Sequence, residues 1–328
     1  MLYDNHGRII NYLRVAVTDR CNLRCQYCMP EEGITYVDRK ELLTFEEMER
    51  VISVGAQLGI SKLRITGGEP FLRKGLIESI SRMNQIEGIS SIHITTNGTL
   101  ITQHIPSFTE LGIKSVNLSL DSLDEARFFE ITRRDDLHKV MEALTLLMDH
   151  DIPTKINMVV MNQRNVVDIL PMIELTKHLP ISVRFLEEMP FNGVGAYSDM
   201  ALWDHKKILD FIRDAHPKLY AIENGPNSTS VNYKIPGYQG SFGIIASYSR
   251  LFCGTCNRIR LTPIGLLKTC LYDNGIFNIR DLIRNGATDD DLATALKSAL
   301  ANRAKDGKAA EARRSNHLVQ ESMATIGG

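Results

Sequence analysis

This chain has no long apolar run. Its hydrophobic stretches are short, such as Met158–Met161, and none reaches the length that spans a bilayer. Residues Met1 to Arg14 are mixed polar and charged, so no signal peptide is expected there. No sign of charge dominates: 38 Lys and Arg stand against 39 Asp and Glu, a net charge of −1. That excludes a global basic field for nucleic acid and makes any anion site a local one. The nine histidines include no i, i+4 pair, so none is assigned a ligand role. The single tryptophan, Trp203, is expected to pack rather than to catalyse. There is no low-complexity segment and no repeat beyond a strand–helix alternation. Cysteine is scarce too, at six in 328 residues, and none is left over from the two groups it forms. With 43% hydrophobic residues the chain suits one large domain or two. We read it as cytoplasmic, where spaced cysteines are more often metal ligands than disulfides.

The cysteines fall into two triplets: Cys21, Cys25 and Cys28, spaced C-x3-C-x2-C, and Cys253, Cys256 and Cys270, spaced C-x2-C-x13-C. Neither triplet can pair internally without leaving an odd thiol. Three thiolates are an incomplete set for a four-coordinate zinc or iron–sulfur site, so each leaves one metal position open.

Short β-branched runs alternate with helical patterns through the first two-thirds of the chain. Strands are expected at Tyr12–Val17, Lys62–Thr66, Ser91–Thr95, Ser115–Leu120, Pro153–Val160 and Ile181–Leu186. Helices are expected at Phe45–Leu58, Lys74–Gln85, Ile101–Leu111, Leu123–Ile131, Leu137–His150, Val166–His178 and Asp204–Ala215. Thr44 and Glu47 make a capping box for the first of these. Six strand–helix units argue for an α/β fold with a partial six-stranded parallel (β/α)6 TIM-like barrel. From about Asn224 the chain turns rich in Gly, Pro, Ser and Asn, which sets a boundary between residues 1–223 and a C-terminal region 224–328. Helical patterns return at Asp289–Asn302 and Ala304–Arg314.

The first triplet lies just after the first expected strand, at the end where β/α barrels gather ligands. Read as Cys21-Asn-Leu-Arg-Cys25-Gln-Tyr27-Cys28, it resembles the signature of the radical S-adenosylmethionine (SAM) superfamily. The bland alternative is a structural zinc site completed by a histidine. Thr66-Gly67-Gly68-Glu69-Pro70, after the second strand, resembles the superfamily's Gly-Gly-Glu-Pro turn; alone it would be an ordinary turn. The resemblance implies a [4Fe–4S] cluster on Cys21, Cys25 and Cys28, with SAM at the open iron and its reductive cleavage yielding a 5′-deoxyadenosyl radical. It also implies SAM contacts from Tyr27, Gly68, Ser119 and Met189. For Ser119 turn capping, and for Met189 core packing, are the plainer readings.

The second triplet encloses an expected hairpin: Arg258–Thr262, a turn at Pro263-Ile-Gly265, and Leu266–Cys270 returning. Residues i and i+2 of a strand share a face, so Arg258, Arg260 and Thr262 would line one surface. Two guanidiniums there offer forked donors for phosphate or a purine edge; the alternative is a solvated strand face. This element resembles the branch of the superfamily that cyclises GTP at the start of molybdenum cofactor biosynthesis, with similarity from Leu13 through the final Gly-Gly. That resemblance implies a second [4Fe–4S] cluster on Cys253, Cys256 and Cys270 whose open iron takes guanine. It implies GTP contacts from Arg14, Arg64, Thr95, Lys155, Arg258 and Arg260, with Arg14, Arg258 and Arg260 also assisting catalysis. It further implies hydrogen abstraction from GTP C3′ followed by a C3′–C8 bond, an external electron donor, a next enzyme receiving the product, and a homodimer. The Gly327-Gly328 terminus resembles the family ending that reaches the active site; otherwise it reads as a frayed end. The rival classes are a peptide-modifying two-cluster maturase, which carries more C-terminal cysteines, an iron–sulfur electron carrier, and a zinc-binding interaction module.

Overall fold

The computed structural model describes residues 1–193, 203–314 and 321–327. Its strands are β1 (Tyr12–Ala16), β2 (Lys62–Thr66), β3 (Ser91–Thr96), β4 (Ile113–Ser119), β5 (Thr154–Val160), β6 (Ser182–Glu187), β7 (Tyr220–Ala221), β8 (Val231–Lys234), β9 (Ser241–Ile245), β10 (Arg258–Leu261), β11 (Leu266–Lys268) and β12 (Phe277–Asn278). Its helices are α1 (Phe45–Gln57), α2 (Leu76–Asn84), α3 (Glu125–Thr132), α4 (Leu137–Asp149), α5 (Ile169–His178), α6 (His205–Ala215), α7 (Ile279–Arg284), α8 (Asp289–Ala301), α9 (Gly307–Ala312) and α10 (Met323–Ile326). Among the described residues none is long and apolar enough to cross a membrane.

All twelve strands join one sheet in the order β12-β11-β10-β1-β2-β3-β4-β5-β6-β9-β8-β7. Strands β1 to β6 are parallel neighbours, as the strand–helix alternation predicts. A six-stranded count is nevertheless short. β10 adds parallel to β1 at one edge, and β9 adds parallel to β6 at the other, so the parallel run has eight strands. Both additions come from the C-terminal region: β10 is the expected strand at Arg258–Thr262, joining the sheet beside β1, while β9 begins in the Gly- and Pro-rich stretch, where short strands carry little periodic signal.

The helices cover the outer face through alternating apolar residues: Leu63, Ile65, Ile92, Ile94 and Val116 pack with Met48, Ile52 and Ile80 in one cluster. Helix α1 starts at Thr44, whose Oγ1 accepts from Glu47 N while Glu47 Oε2 accepts from Thr44 N, at 3.1 and 2.7 Å. The helix expected at Ile101–Leu111 is instead a 3-10 segment over Thr102–Ser107. Pro106 lies inside it, removes a backbone donor and disfavours α geometry at the residue before it. The hairpin is present as β10 and β11, with Gly265 at φ +85 in its turn. Helices α7 and α10 were not expected; both are short, six and four residues. Trp203 packs edge-on against Phe211 and donates to Asn162 Oδ1 at 3.2 Å, a packing role.

Candidate active site

The strand register decides where the two cysteine triplets sit. Cys21 follows the C-terminal end of β1. Cys256 precedes β10, which runs parallel to β1 and starts with Arg258 beside Tyr12. Cys270 follows β11, which is antiparallel and ends at the same side. The triplets therefore lie at opposite ends of the parallel strands. At about 3.3 Å per residue, β1 alone separates them by on the order of 13 Å. Residues 246–257 carry the chain from the β9 edge to the β10 edge, bringing Cys253 and Cys256 with it.

Between the ends lies a cavity of about 600 Å³. All six cysteines line it. So do Tyr27, Gly68, Ser119 and Met189, and so do Arg14, Arg64, Thr95, Lys155, Arg258 and Arg260. Residues far apart in sequence thus share one space.

At the first triplet, Cys28 N and Met29 N both donate to Cys25 O, at 2.9 and 3.0 Å, curling the loop into a turn. Gly68 packs its backbone on the loop entry: Gly68 N donates to Thr18 O and Glu69 N to Arg20 O, each at 2.8 Å. A Cβ on Gly68 would collide with the Arg20 carbonyl. Glu69 is fully buried and accepts from Thr96 Oγ1, Asn97 N and Phe71 N, tying the ends of β2 and β3 together. Burial raises its carboxyl to about 7. Tyr27 donates to Asp121 Oδ2 at 2.9 Å, and Asp121 is pushed up to about 6 by burial. Burial and then Glu69 push the Cys21 thiol to about 11. Cys25 and Cys28 are also raised by burial, by the other thiols and by Asp121.

At the second triplet one thiol has different surroundings. Cys256 Sγ faces two guanidiniums, with Arg258 Nη2 at 3.4 Å and Arg303 Nη2 at 3.3 Å. Burial alone would raise this thiol, yet Arg258 and Arg303 bring it down to about 6. Cys253 and Cys270 are both raised by burial, Cys270 to about 11, and both interact with Cys256. Among the described residues no three His, Cys, Asp or Glu converge on a point where a single ion would sit.

The inward face of the strands is cationic. Lateral register places Arg258 beside Tyr12 and Lys62, then Arg260 beside Arg14 and Arg64. Farther round, Lys155 neighbours Asn117, and Arg184 neighbours Asn157. Arg64, 5% exposed, is held by Tyr12 OH at 2.5 Å, Ile94 O at 3.1 Å and Thr95 Oγ1 at 3.3 Å. Burial and then neighbouring cations depress these groups: Arg260 to about 10 by Arg258, Lys155 to about 8 by Arg184, and Arg184 to about 10 by Arg64. Arg14 is depressed by burial and Arg260. Such crowding in a chain of net charge −1 marks a site built for an anion. Asn117 Oδ1, Asn157 Oδ1 and Arg184 Nε are buried without a hydrogen-bond partner among the described residues. All three residues line the cavity, so polar groups wait there for a polar ligand.

Lys62 and Arg184 were missed in the sequence. Lys62 carried a usable signal, two residues before Arg64 on the same strand face. Arg184 needed the register. Thr262, expected beside Arg258 and Arg260, instead accepts from Leu266 N at 2.9 Å in the hairpin turn. Met189 packs on the cluster of Phe191, Tyr272 and Ile326. At the tail, Gly327 O accepts from Arg260 Nη1 at 2.5 Å, and Gly328 lies outside the described residues.

A parallel barrel-like sheet with a three-cysteine loop after its first strand is the architecture of radical SAM proteins. The model of the Radical SAM superfamily matches residues 15–176, and that of Molybdenum Cofactor Synthesis C matches residues 181–309. A GTP 3′,8-cyclase from Alkaliphilus oremlandii is 42% identical over 283 residues, covering 86% of this chain and 87% of that protein. Molybdenum cofactor biosynthesis protein 1 of Bos taurus is 40% identical over 300 residues, 91% of this chain and 47% of that protein. The chain thus spans about half the length of the animal relatives it matches. Streptococcus suis SuiB shares the fold alone, with a TM-score of 0.60 at 14% identity over 92% of this chain and 71% of that one. The chain belongs to the GTP 3′,8-cyclase family of radical SAM proteins, a family that implies SAM and a [4Fe–4S] cluster.

Proposed function

We propose that this protein converts GTP to (8S)-3′,8-cyclo-7,8-dihydroguanosine 5′-triphosphate, the first step of molybdenum cofactor biosynthesis. The observation that carries the reading is the row of seven cations, Arg14, Lys62, Arg64, Lys155, Arg184, Arg258 and Arg260, lining one cavity between two three-cysteine ends. A nucleoside triphosphate brings about four negative charges, which such a row offsets locally.

In this reading Cys21, Cys25 and Cys28 hold one [4Fe–4S] cluster, and Cys253, Cys256 and Cys270 hold a second whose open iron meets guanine. Tyr27, Gly68, Ser119 and Met189 border SAM. Arg14, Arg64, Thr95, Lys155, Arg258 and Arg260 hold GTP. When bound, the first cluster with SAM would supply the radical chemistry that removes the hydrogen from GTP C3′. The chain's own residues do the positioning. Guanine fixed at one end and triphosphate along the strand face leave the ribose between the two ends, where C3′ and C8 of one molecule can be brought together. Strand-borne cations hold that geometry more rigidly than loop residues would. Arg14, Arg258 and Arg260, depressed or paired beside the second triplet, are the groups that assist the later steps electrostatically. Residues 1–223 form the radical SAM barrel and 224–328 the cluster- and substrate-binding region. A cytoplasmic homodimer, an external reductant and transfer of the product to the next enzyme complete the reading.

The test is an anaerobic reaction with SAM, dithionite and GTP deuterated at C3′. The expected outcome is an isomer of GTP, separable by chromatography, in which an electron from the reductant and a solvent proton have replaced that deuterium. The deuterium should appear in 5′-deoxyadenosine. Formation of unlabelled 5′-deoxyadenosine alone, with GTP unconsumed, contradicts the assignment.

A further inference from the structure

Residues Leu2 to Ile10, ahead of the radical SAM match, fold back on themselves. Tyr3 bridges Ile9, Asp4 N donates to Arg8 O at 3.1 Å, and Gly7 N donates to Asp4 O at 3.0 Å. Within this hairpin the Asp4 carboxylate, 6% exposed, is a hub. Oδ1 accepts from His6 N and Arg8 N, at 2.9 and 3.0 Å. Oδ2 accepts from Arg8 Nε at 2.6 Å and from Arg303 Nη1 at 3.1 Å.

Both arginines reach from that carboxylate to the second cysteine triplet. Arg8 Nη1 donates to Cys253 O at 2.9 Å. Arg303 Nη1 donates to Cys256 O at 2.9 Å, and its Nη2 lies 3.3 Å from Cys256 Sγ. Arg303 Nε donates to Thr269 O at 3.0 Å, the carbonyl that precedes Cys270, and Nη2 also donates to Arg258 O at 2.9 Å. His6 Nε2 meets Arg303 O at 2.9 Å, and Asn5 N donates to Leu300 O at 3.2 Å. Every cysteine of the triplet thus has its own or its neighbour's carbonyl fixed by one of two guanidiniums, and one carboxylate holds both.

We infer that Asp4, Arg8 and Arg303 are positioning residues for the second cysteine triplet, and that the N-terminal hairpin is a brace serving that triplet and not the first. Cys270 is separated from the Cys253–Cys256 pair by a strand, a turn and a second strand, so the three do not organise themselves as the compact C-x3-C-x2-C loop does. Their spacing must be set from outside. A planar guanidinium does this where an ammonium would not, because its fixed fork fills several carbonyl positions at once. Arg303 is 3% exposed, so its charge requires the buried Asp4 partner. Its N–H aimed at Cys256 Sγ is also the kind of contact that sets the potential of a sulfur-ligated cluster.

This inference rests on reading the second triplet as a cluster site, and one experiment separates the two. Full-length parent, Arg303→Lys, Arg8→Lys and Asp4→Asn proteins are reconstituted anaerobically with iron and sulfide. Iron per chain, the EPR signal of each cluster and the midpoint potential of the second are then measured. The parent should bind about eight iron atoms per chain, four for each cluster. Binding of only about four in the parent would remove the cluster reading, and this inference with it. Arg303→Lys and Asp4→Asn should each lose the second cluster, roughly halving the iron, or hold it at a lower potential. Arg8→Lys should give the same change more weakly. The first cluster's SAM-dependent signal should stay intact in all three. Full iron with an unmoved second-cluster potential in Arg303→Lys overturns the inference. Equal loss of both signals in all three variants also overturns it, since a brace for the whole fold would do that.

Discussion

The two cysteine triplets share a ligand count and little else. The first sits on one short loop after β1, among carboxylates: Glu69 and Asp121 help push its thiols up. The second is assembled from separate segments around β10 and β11, among guanidiniums that bring Cys256 down to about 6. A thiol must lose its proton to bind iron. Of the six thiols only Cys256 has surroundings that favour the thiolate. The difference matches the partners proposed for each end. In the proposed reading SAM would bring its positive sulfonium charge to the carboxylate-rich end, and GTP its triphosphate to the cationic strand face that runs on from the arginine-rich one.

Removing a ligand from each end gives the largest effect. Cys25→Ser is expected to abolish 5′-deoxyadenosine formation. Cys256→Ser is expected to keep reductive SAM cleavage while losing the cyclised product, both followed by chromatography of the quenched reaction. If the two variants lose the same activities, the ends do not differ in role. Next, Lys155→Ala or Arg184→Ala should weaken GTP binding roughly 10- to 100-fold, as expected for one charge-assisted contact, with a shallower salt dependence in equilibrium dialysis. An unchanged Kd would move the triphosphate off this strand face.

A smaller effect follows from pH. Burial, then Arg184, holds Lys155 down at about 8. GTP binding should therefore weaken as pH rises from 7 to 9, because the free protein loses this cation. For the ligand-free protein the sign is opposite. An unfolded lysine keeps its proton to about 10.4, so between about 8 and that value the unfolded state binds more protons and stability rises with pH. Lys155→Met should flatten both trends; a Kd that does not change over this range in the parent contradicts the assignment. Gly68→Ala should cost about 1–3 kcal/mol, because its Cβ meets the Arg20 carbonyl beside the first triplet. Thermal unfolding should show the loss, with the second cluster's signal unmoved. Smallest of all, Thr44→Ala should cost about 1 kcal/mol through the lost helix cap. That change should leave GTP affinity alone, a control for the others.

What the sequence made legible follows the same contrast. The first triplet is local, with its cysteines and aromatic within eight residues and a glycine turn one unit later, so a short motif carries the resemblance that singles it out. The six parallel strands and most helices were also legible, because apolar period and caps are local signals. Other parts depend on lateral neighbours that no spacing records. β9 and β10 extend the sheet at opposite edges. Arg184 joins the cationic face only through register. Asp4 and Arg303 meet at 3.1 Å across almost the whole chain. Residues of ordinary type acting through tertiary contacts leave no motif behind.

The central claim is that the arginine-rich triplet holds an iron site that meets the substrate itself. It is tested most directly in Cys25→Ser, where only the second triplet can keep a full cluster. The reduced protein is examined by EPR before and after addition of GTP. The account predicts a signal from the second cluster that shifts when GTP is added and is unaffected by SAM. A signal that saturating GTP leaves unchanged would contradict it.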